Sequence, residues 1–250
     1  MTLKEMSSLK GWHQYFTENA RAADGIPWDL VEMLTKEEVA CISDSIATFQ
    51  LGEYAEGRGL MRYAEDYAKK FGDDRLTKIT RLFICEEQNH ALLLRRFMQV
   101  HKIKLIESNW TDTVFRRLRK NVGYEWSITV LIVAEIIALV YYKALRDATH
   151  STVLKKICNK ILSDEAFHVA YESELIRNIR NSNPSILKIT AIIFHRFLFS
   201  GTVIVVYFSH RSVLNRGGYR FFDFWRSCLK EFDTLFKSHK SIQLSVWNQR

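Results

Sequence analysis

Residues 128–142, ITVLIVAEIIALVYY, are an apolar run with one carboxylate, Glu135, near its centre. The run is long enough for about four turns of α-helix, and a helix with so few polar residues is expected to be buried. Burial removes water from the carboxylate, at a cost of several kcal/mol unless a cation or a proton compensates. No basic residue lies within one turn of Glu135 in the sequence, so its partner has to come from elsewhere.

Two short motifs elsewhere in the chain place a carboxylate beside an imidazole. Glu165 and His168 lie in DEAFH, thirty residues after Glu135, and Glu87 and His90 lie in EEQNH. Residues three apart in a helix share one face, so each motif presents both groups on the same side. Carboxylate oxygens and imidazole nitrogens together are ligands for transition metals.

The two motifs belong to an internal repeat. The segment AEGRGL at 55–60 aligns with AEIIAL at 134–139, and Glu56 precedes Glu87 by 31 residues, close to the 30 that separate Glu135 from Glu165. The repeat unit predicts a helix with one glutamate followed by a helix with Glu-x-x-His. Two such hairpins, related by a pseudo-twofold axis, would bring these groups to the middle of a four-helix bundle.

A dinuclear metal site is predicted from this repeat, with six ligands: Glu56, Glu87, His90, Glu135, Glu165 and His168. In this assignment Glu87 and Glu165 bridge the two ions, the other two glutamates are terminal, and each histidine holds one ion. Four carboxylates against two divalent ions leave the buried centre neutral. Glu53, one turn before Glu56 on the same helical face, is the alternative ligand from the first helix.

The order Glu, Glu-x-x-His, Glu, Glu-x-x-His resembles that of the ferritin-like superfamily of di-iron carboxylate proteins. The resemblance covers roughly residues 36–180 and implies two iron ions, although manganese or a mixed pair fits the same ligands. It also implies that the acid before each bridging glutamate, Glu86 or Asp164, hydrogen-bonds the imidazole of the opposite motif. A solvated acid is the alternative at each of these two positions.

The chain of 250 residues is predicted to be one all-α domain, since it has only two prolines and ten glycines. We expect a lid segment at 1–35, a ferritin-like four-helix bundle at 36–180 and additional C-terminal helices at 181–250. Thr35 and Glu38 form a capping box at the start of a helix expected to run from 35 to about 70. Four widely spaced cysteines and an N-terminus without an apolar signal segment favour a cytoplasmic protein.

The charge of the chain, +8 overall, lies in its C-terminal third, which has twelve Lys and Arg against three Asp and Glu from residue 177 onward. An apolar run at 186–208 approaches the length of a membrane span. Because Lys188, His195 and Arg196 interrupt it, a helix that is buried or faces a partner is favoured over a span.

The resemblance implies a di-iron, dioxygen-activating oxidoreductase, either an oxygenase or an oxidase. The apolar extension after the bundle favours a small, partly apolar organic substrate over iron. A ferroxidase or metal-storage protein is one alternative, and a ferritin-like tRNA hydroxylase that uses the basic C-terminal third is another. No flavin or iron–sulfur motif is visible, so an external electron donor or the substrate would supply electrons; a homodimer is compatible with the sequence.

Overall fold

The computed structural model describes residues 8–30, 32–54, 57–119, 123–181 and 185–234. These residues form α-helices joined by turns and loops, and no strand occurs among them. The predicted all-α fold is therefore confirmed. The helices are α1 (Leu9–Asn19), α2 (Lys36–Glu53), α3 (Arg58–Phe71), α4 (Arg75–Val100), α5 (Trp110–Arg119), α6 (Tyr124–Ala148), α7 (Thr152–Asn181), α8 (Ser185–Arg216) and α9 (Phe221–Thr234).

A four-helix bundle of α2, α4, α6 and α7 forms the centre of the molecule. Helix α6 packs along α7, α2 packs along α4, and α4 also contacts α7. The apolar run that begins at Ile128 lies in α6, where Ile132, Val133 and Ile136 are completely buried. Helices α8 and α9 cover the faces of α6 that the bundle leaves open, so α6 can be apolar on every side without exposing those side chains to water.

The first bundle helix ends earlier than the sequence predicts. Thr35 caps α2 with the expected capping box to Glu38, but the helix ends at Glu53 and a new helix begins at Arg58. Gly57 lies between them with φ of 60°, a left-handed conformation that glycine adopts without strain. A side chain at this position would also collide with Ile84 of α4. The expected continuous helix over 35–70 was therefore wrong.

Helix α1 closes one side of the bundle, over α4 and α7. Trp12 and Phe16 are buried there in a cluster with Phe83 and Tyr171. The indole N–H of Trp12 donates to Glu174 of α7 at 3.0 Å. The N-terminal segment is thus fixed to both helices that carry a Glu-x-x-His motif.

Helices α8 and α9 pack on the outside of α6. A residue with non-helical backbone angles, His210, marks a kink in α8. At the turn into α9, Gly217 lies so close to α6 that a Cβ there would be 2.3 Å from the carbonyl oxygen of Ala144. By length and composition α6 and α8 could each cross a membrane, but α6 is the buried core helix of the bundle.

Candidate metal centre

Each of the four bundle helices contributes to one buried cluster of carboxylates and imidazoles. Helix α2 contributes Glu53 from its last residue, and α6 contributes the glutamate of its apolar run. Helices α4 and α7 contribute one Glu-x-x-His motif each. The cluster residues, all less than a tenth exposed, are Glu53, Glu87, His90, Glu135, Glu165 and His168.

A first group of four ligand atoms surrounds the imidazole of His90. Its Nδ1 lies 3.7 Å from Glu53 Oε2, 3.7 Å from Glu87 Oε1 and 3.5 Å from Glu165 Oε1. His90 Nδ1 and one oxygen from each of the three glutamates all lie within 4.8 Å of one another. An ion at the centre of this group would have one nitrogen and at least three oxygen ligands.

A second group surrounds the imidazole of His168. Its Nδ1 lies 3.0 Å from Glu87 Oε1 and 3.2 Å from Glu165 Oε2, and Glu135 completes the set. Glu87 and Glu165 belong to both groups, as two bridging carboxylates would. The two imidazole rings lie 6.0 Å apart, one on each side of the shared pair.

The structure thus brings together five of the six ligands predicted from the sequence. The sixth, Glu56, lies outside the described residues and stays a prediction. The alternative, Glu53, is the α2 carboxylate that reaches His90. Alignment of the repeat favoured Glu56 by assuming a continuous helix, whereas the chain leaves the helix directly after Glu53.

The acids that precede the shared glutamates hydrogen-bond the histidines crosswise. Asp164 Oδ2 lies 2.8 Å from His90 Nε2, and Glu86 Oε2 lies 2.9 Å from His168 Nε2. Each acid therefore contacts the imidazole of the opposite motif, and neither is a solvated surface carboxylate. Such a contact holds the ring so that Nδ1 points to the cluster, and it makes the imidazole a better ligand.

Three residues that sequence reasoning missed or left open support this arrangement. The side-chain amide of Asn19, from α1, donates to Glu86 at 2.8 Å and to Asp164 at 3.1 Å. Lys160 forms an ion pair with Asp164 one turn away on α7. Tyr142, which sequence analysis does not assign, donates its hydroxyl to Glu53 at 2.6 Å. The spacing of Lys160 and Asp164 was readable from the sequence, whereas Asn19 lies 145 residues from Asp164 and gave no signal.

Without metal, protons have to compensate the charges in the cluster. Burial, followed by repulsion from Glu165 and Glu53, raises the pKa of Glu87 to about 8. Burial, with Glu165 and Glu87 next in importance, also raises the pKa of Glu135 well above its usual value. The pKa of Glu165 is lowered, because hydrogen bonds from Glu135 and the histidines outweigh its burial. These opposite shifts in pKa favour a neutral Glu135 beside an ionised Glu165.

The histidines carry protons in the same state. Burial alone would lower the pKa of His90, but the hydrogen bond with Asp164 and the nearby carboxylates of Glu165 and Glu53 raise it well above the usual value. His168 has a raised pKa because Glu165, Glu86 and Glu87 likewise outweigh its burial. Divalent cations at the two groups would take over the role of these protons.

Some polar atoms of the cluster are buried without any hydrogen bond. They are Glu87 Oε1, His90 Nδ1 and Glu165 Oε1, all of which point into the ligand groups. Buried polar atoms are rarely left unpaired, so these atoms need a partner that the chain itself does not provide. The donor set, of four carboxylate groups and two imidazoles, fits two divalent iron or manganese ions.

A mostly apolar cavity of about 160 Å³ adjoins the cluster. Glu53, Glu87 and Glu135 form part of its wall, and other side chains from α2, α3, α4, α5, α6 and α8 line the remainder. His210, from α8, also lines the cavity, and its Nδ1 lies 2.9 Å from Ser45 Oγ. Ser45 precedes Glu53 by eight residues in α2, or about 12 Å along the helix axis. The cavity therefore has the candidate ligand carboxylates and a polar imidazole in its wall, together with apolar side chains.

The fold is shared with solved structures of R2-like ligand-binding oxidases. One variant with an aerobically reconstituted Mn/Fe cofactor has a TM-score of 0.70 at 16% identity, covering 91% of this chain and 92% of that chain. A second aerobically reconstituted variant gives 0.70 at 17% identity with the same coverage. A third, anaerobically reconstituted with Mn/Fe, gives 0.69 at 16% identity over 91% of both chains. This likeness confirms the predicted ferritin-like fold.

No protein-family model matches the sequence. No curated protein matches it either.

Proposed function

We propose that this chain is a dioxygen-activating dimetal oxidoreductase that acts on a small, partly apolar organic molecule. The observation that carries the proposal is the pair of ligand groups that share Glu87 and Glu165, with the apolar cavity beside them. The shared fold supports it, since the similar structures are those of R2-like ligand-binding oxidases with Mn/Fe cofactors. Iron, manganese or one of each would fit the ligands.

A bound pair of metal ions would supply the electrons that reduce dioxygen, and the chain would hold and surround that pair. Glu53, Glu87, His90, Glu135, Glu165 and His168 would be the ligands. The hydrogen bond from Tyr142 fixes the carboxylate of Glu53, and the contacts from Asp164 and Glu86 fix the two imidazoles. Because α1 covers this side of the bundle, the chain also keeps bulk water away from the imidazoles.

The cavity is where an organic substrate would bind. Its apolar wall, with Phe83 and Leu131 near the ligands, suits a hydrocarbon portion, and the imidazole of His210 suits a hydrogen-bonding group farther from the metals. Burial lowers the pKa of His210 to about 4, so its imidazole is neutral at physiological pH. The proposed substrate therefore combines an apolar body with an uncharged polar group that can hydrogen-bond.

The alternatives are less well supported. A ferroxidase requires no apolar cavity beside its metals, and the cavity is the feature that favours an organic substrate. A tRNA hydroxylase would use Arg211, Arg216, Arg220 and Arg226, which are exposed. Large apolar side chains are exposed in the same part of the chain, among them Phe208 and Phe222, and such a surface suits a phosphate backbone poorly. The chain is proposed to act in a reducing compartment, because its four cysteines are free.

The test is the metal content of the chain after anaerobic loading with ferrous or manganous ions. We expect about two ions per chain in the wild type, and at most one in Glu165→Gln, because this substitution removes a shared ligand. Glu65→Gln, an exposed change on α3, is the matched control and should retain two ions. Loaded protein should then consume dioxygen faster when a candidate substrate is added. Fewer than one ion per wild-type chain would refute the proposal, and iron oxidation that no organic molecule stimulates would favour the ferroxidase.

A further inference from the structure

The outward face of α8 is a row of large apolar side chains exposed to solvent. In the most apolar stretch of Ile189–Arg216, 22% of the residues are buried. In the most apolar stretch of α6, 89% of the residues are buried. Phe197 is 76% exposed, Ile193 63% and Phe208 62%. We call this row the α8 stripe: Ile189, Ile193, Phe197, Ile204 and Phe208. Contiguous apolar surfaces of this extent on soluble proteins mark docking sites.

The α8 stripe lies on one side of the helix. At about 100° per residue, its five members fall within roughly 100° of arc, and they extend for about 28 Å along the helix axis. The opposite side of α8 packs on the bundle through Phe199, Val203 and Val213, which are buried. Helix α8 is therefore apolar both toward the core and toward the outside.

The apolar surface continues from the α8 stripe onto α9. The ring of Phe208 stacks with that of Phe221 at a centroid distance of 6.1 Å. Phe221 in turn contacts Phe222, which is 68% exposed at the start of α9. The exposed surface is thus shared by two helices that are fixed to the same core, and it does not depend on one mobile side chain.

The charged residues of α8 itself are all basic. Helix α8 contains four basic residues and no Asp or Glu. Two of the basic residues, Arg196 and Arg211, are exposed and lie on the same side of the helix as the stripe. A second copy of the chain would place basic side chains against basic side chains, whereas a surface with negative charge would complement them.

We propose that the α8 stripe docks on an anionic lipid surface, with α8 lying in the plane of the membrane interface. Aromatic and branched apolar side chains would enter the headgroup region, and the arginines would remain at the level of the lipid phosphates. The inward side of α8 contributes Thr202, Val206 and His210 to the cavity wall, so docking places the cavity one helix away from the lipid. This inference goes beyond the proposed function and does not depend on it.

The experiment is co-sedimentation of the metal-loaded full chain with vesicles. Wild type should sediment with vesicles that contain phosphatidylglycerol, and much less with pure phosphatidylcholine vesicles or in high salt. The double variant Ile193→Glu/Phe197→Glu should bind the anionic vesicles at least about tenfold more weakly. Leu92→Glu/Val100→Glu, which changes two exposed apolar residues of α4 in the same way, is the matched control and should bind as wild type.

A third variant, Arg211→Gln, keeps the apolar surface and should show a smaller preference for anionic over phosphatidylcholine vesicles than wild type. This variant tests the proposal even if the glutamate pair impairs folding, which circular dichroism would reveal. Absence of wild-type binding to anionic vesicles would overturn the proposal, as would equal binding by the α8 and α4 variants. A wild-type dimer in analytical ultracentrifugation that only the α8 variant dissociates, without vesicle binding, would instead identify a second copy as the partner.

Discussion

The crossed hydrogen bonds of Asp164 and Glu86 to the two imidazoles lead to a quantitative prediction about metal affinity. Asp164→Asn keeps the size of the side chain and an oxygen that can accept from His90, but it removes the negative charge. Loss of such an outer carboxylate typically weakens metal binding about 10- to 100-fold, or about 1.4–2.7 kcal/mol. We expect Asp164→Asn to lie at the upper end of this range, because it also leaves the ammonium group of Lys160 without its ion pair near the site. Glu86→Gln, which has no lysine partner among the described ion pairs, should lie at the lower end.

The assay is anaerobic titration of metal-free protein with manganous ions in competition with a fluorescent chelator. Wild type should bind two ions, whereas each variant should retain one ion at near wild-type affinity and bind the second weakly. Asp66→Asn, an exposed change on α3, controls for the loss of one negative charge. Wild-type affinity for both ions in Asp164→Asn would refute the reasoning. If each variant lost affinity for both ions equally, the outer acids would not act through one imidazole each.

Two further predictions concern protonation of the cluster and binding in the cavity. Without metal, the folded state holds protons on Glu87, whose pKa is raised to about 8, and on His90 and His168, whose pKa values are also raised. Above pH 6.5 unfolding releases these protons, so in the presence of a chelator the melting temperature should fall as the pH rises from 6 to 9. Bound metal should make the melting temperature depend less on pH. An equal dependence with and without metal would contradict the reasoning. In the cavity, His210→Phe should leave two metal ions bound and raise the KM of an organic substrate by about tenfold, since it removes one hydrogen-bonding group; loss of metal would show that this residue acts on the cluster instead.

The parts of the centre that could be predicted from the sequence depend on local spacing. Glu87 and His90 are three residues apart, as are Glu165 and His168, and helical geometry alone places each pair on one face. The repeat then relates the two pairs, and the apolar run around Glu135 shows that its helix is buried. Each repeat unit, from its first glutamate to the end of its Glu-x-x-His motif, spans only about 34 residues, so these features required no knowledge of the tertiary structure.

The position of the α2 ligand could not be predicted in the same way. The repeat alignment pairs Glu56 with Glu135 only if the first helix continues through residue 56. In the structure that helix ends at Glu53. Gly57, just before the next helix, adopts a left-handed conformation and lies close to the side chain of Ile84. The two glycines in AEGRGL, Gly57 and Gly59, were a signal for a helix end, but the same residues also fitted open space next to the metals or close packing of helices.

Contacts between distant segments were likewise invisible in the sequence. Nothing in the first 35 residues indicates that Asn19 reaches both Glu86 and Asp164, because the contact depends on how α1 crosses α4 and α7. The exposure of the α8 stripe was also unpredictable. The apolar run at 186–208 is compatible with a buried helix, with one that faces a partner and with a membrane span, and only packing shows which side is covered.

These long-range contacts make the two halves of the centre chemically different although the repeat makes them similar. The group around His90 has the α2 carboxylate, which Tyr142 hydrogen-bonds, and an outer acid that Lys160 partly neutralises. On the other side, the rings of Phe16 and Phe83 pack near His168, with centroids 6.0 and 4.5 Å from the imidazole. An outer carboxylate that shares its charge with a lysine makes its imidazole a weaker donor than one that does not. Two identical ions should therefore bind with unequal affinity, the tighter one at His168, and a mixed pair of metals would have a physical reason to sort between the two positions.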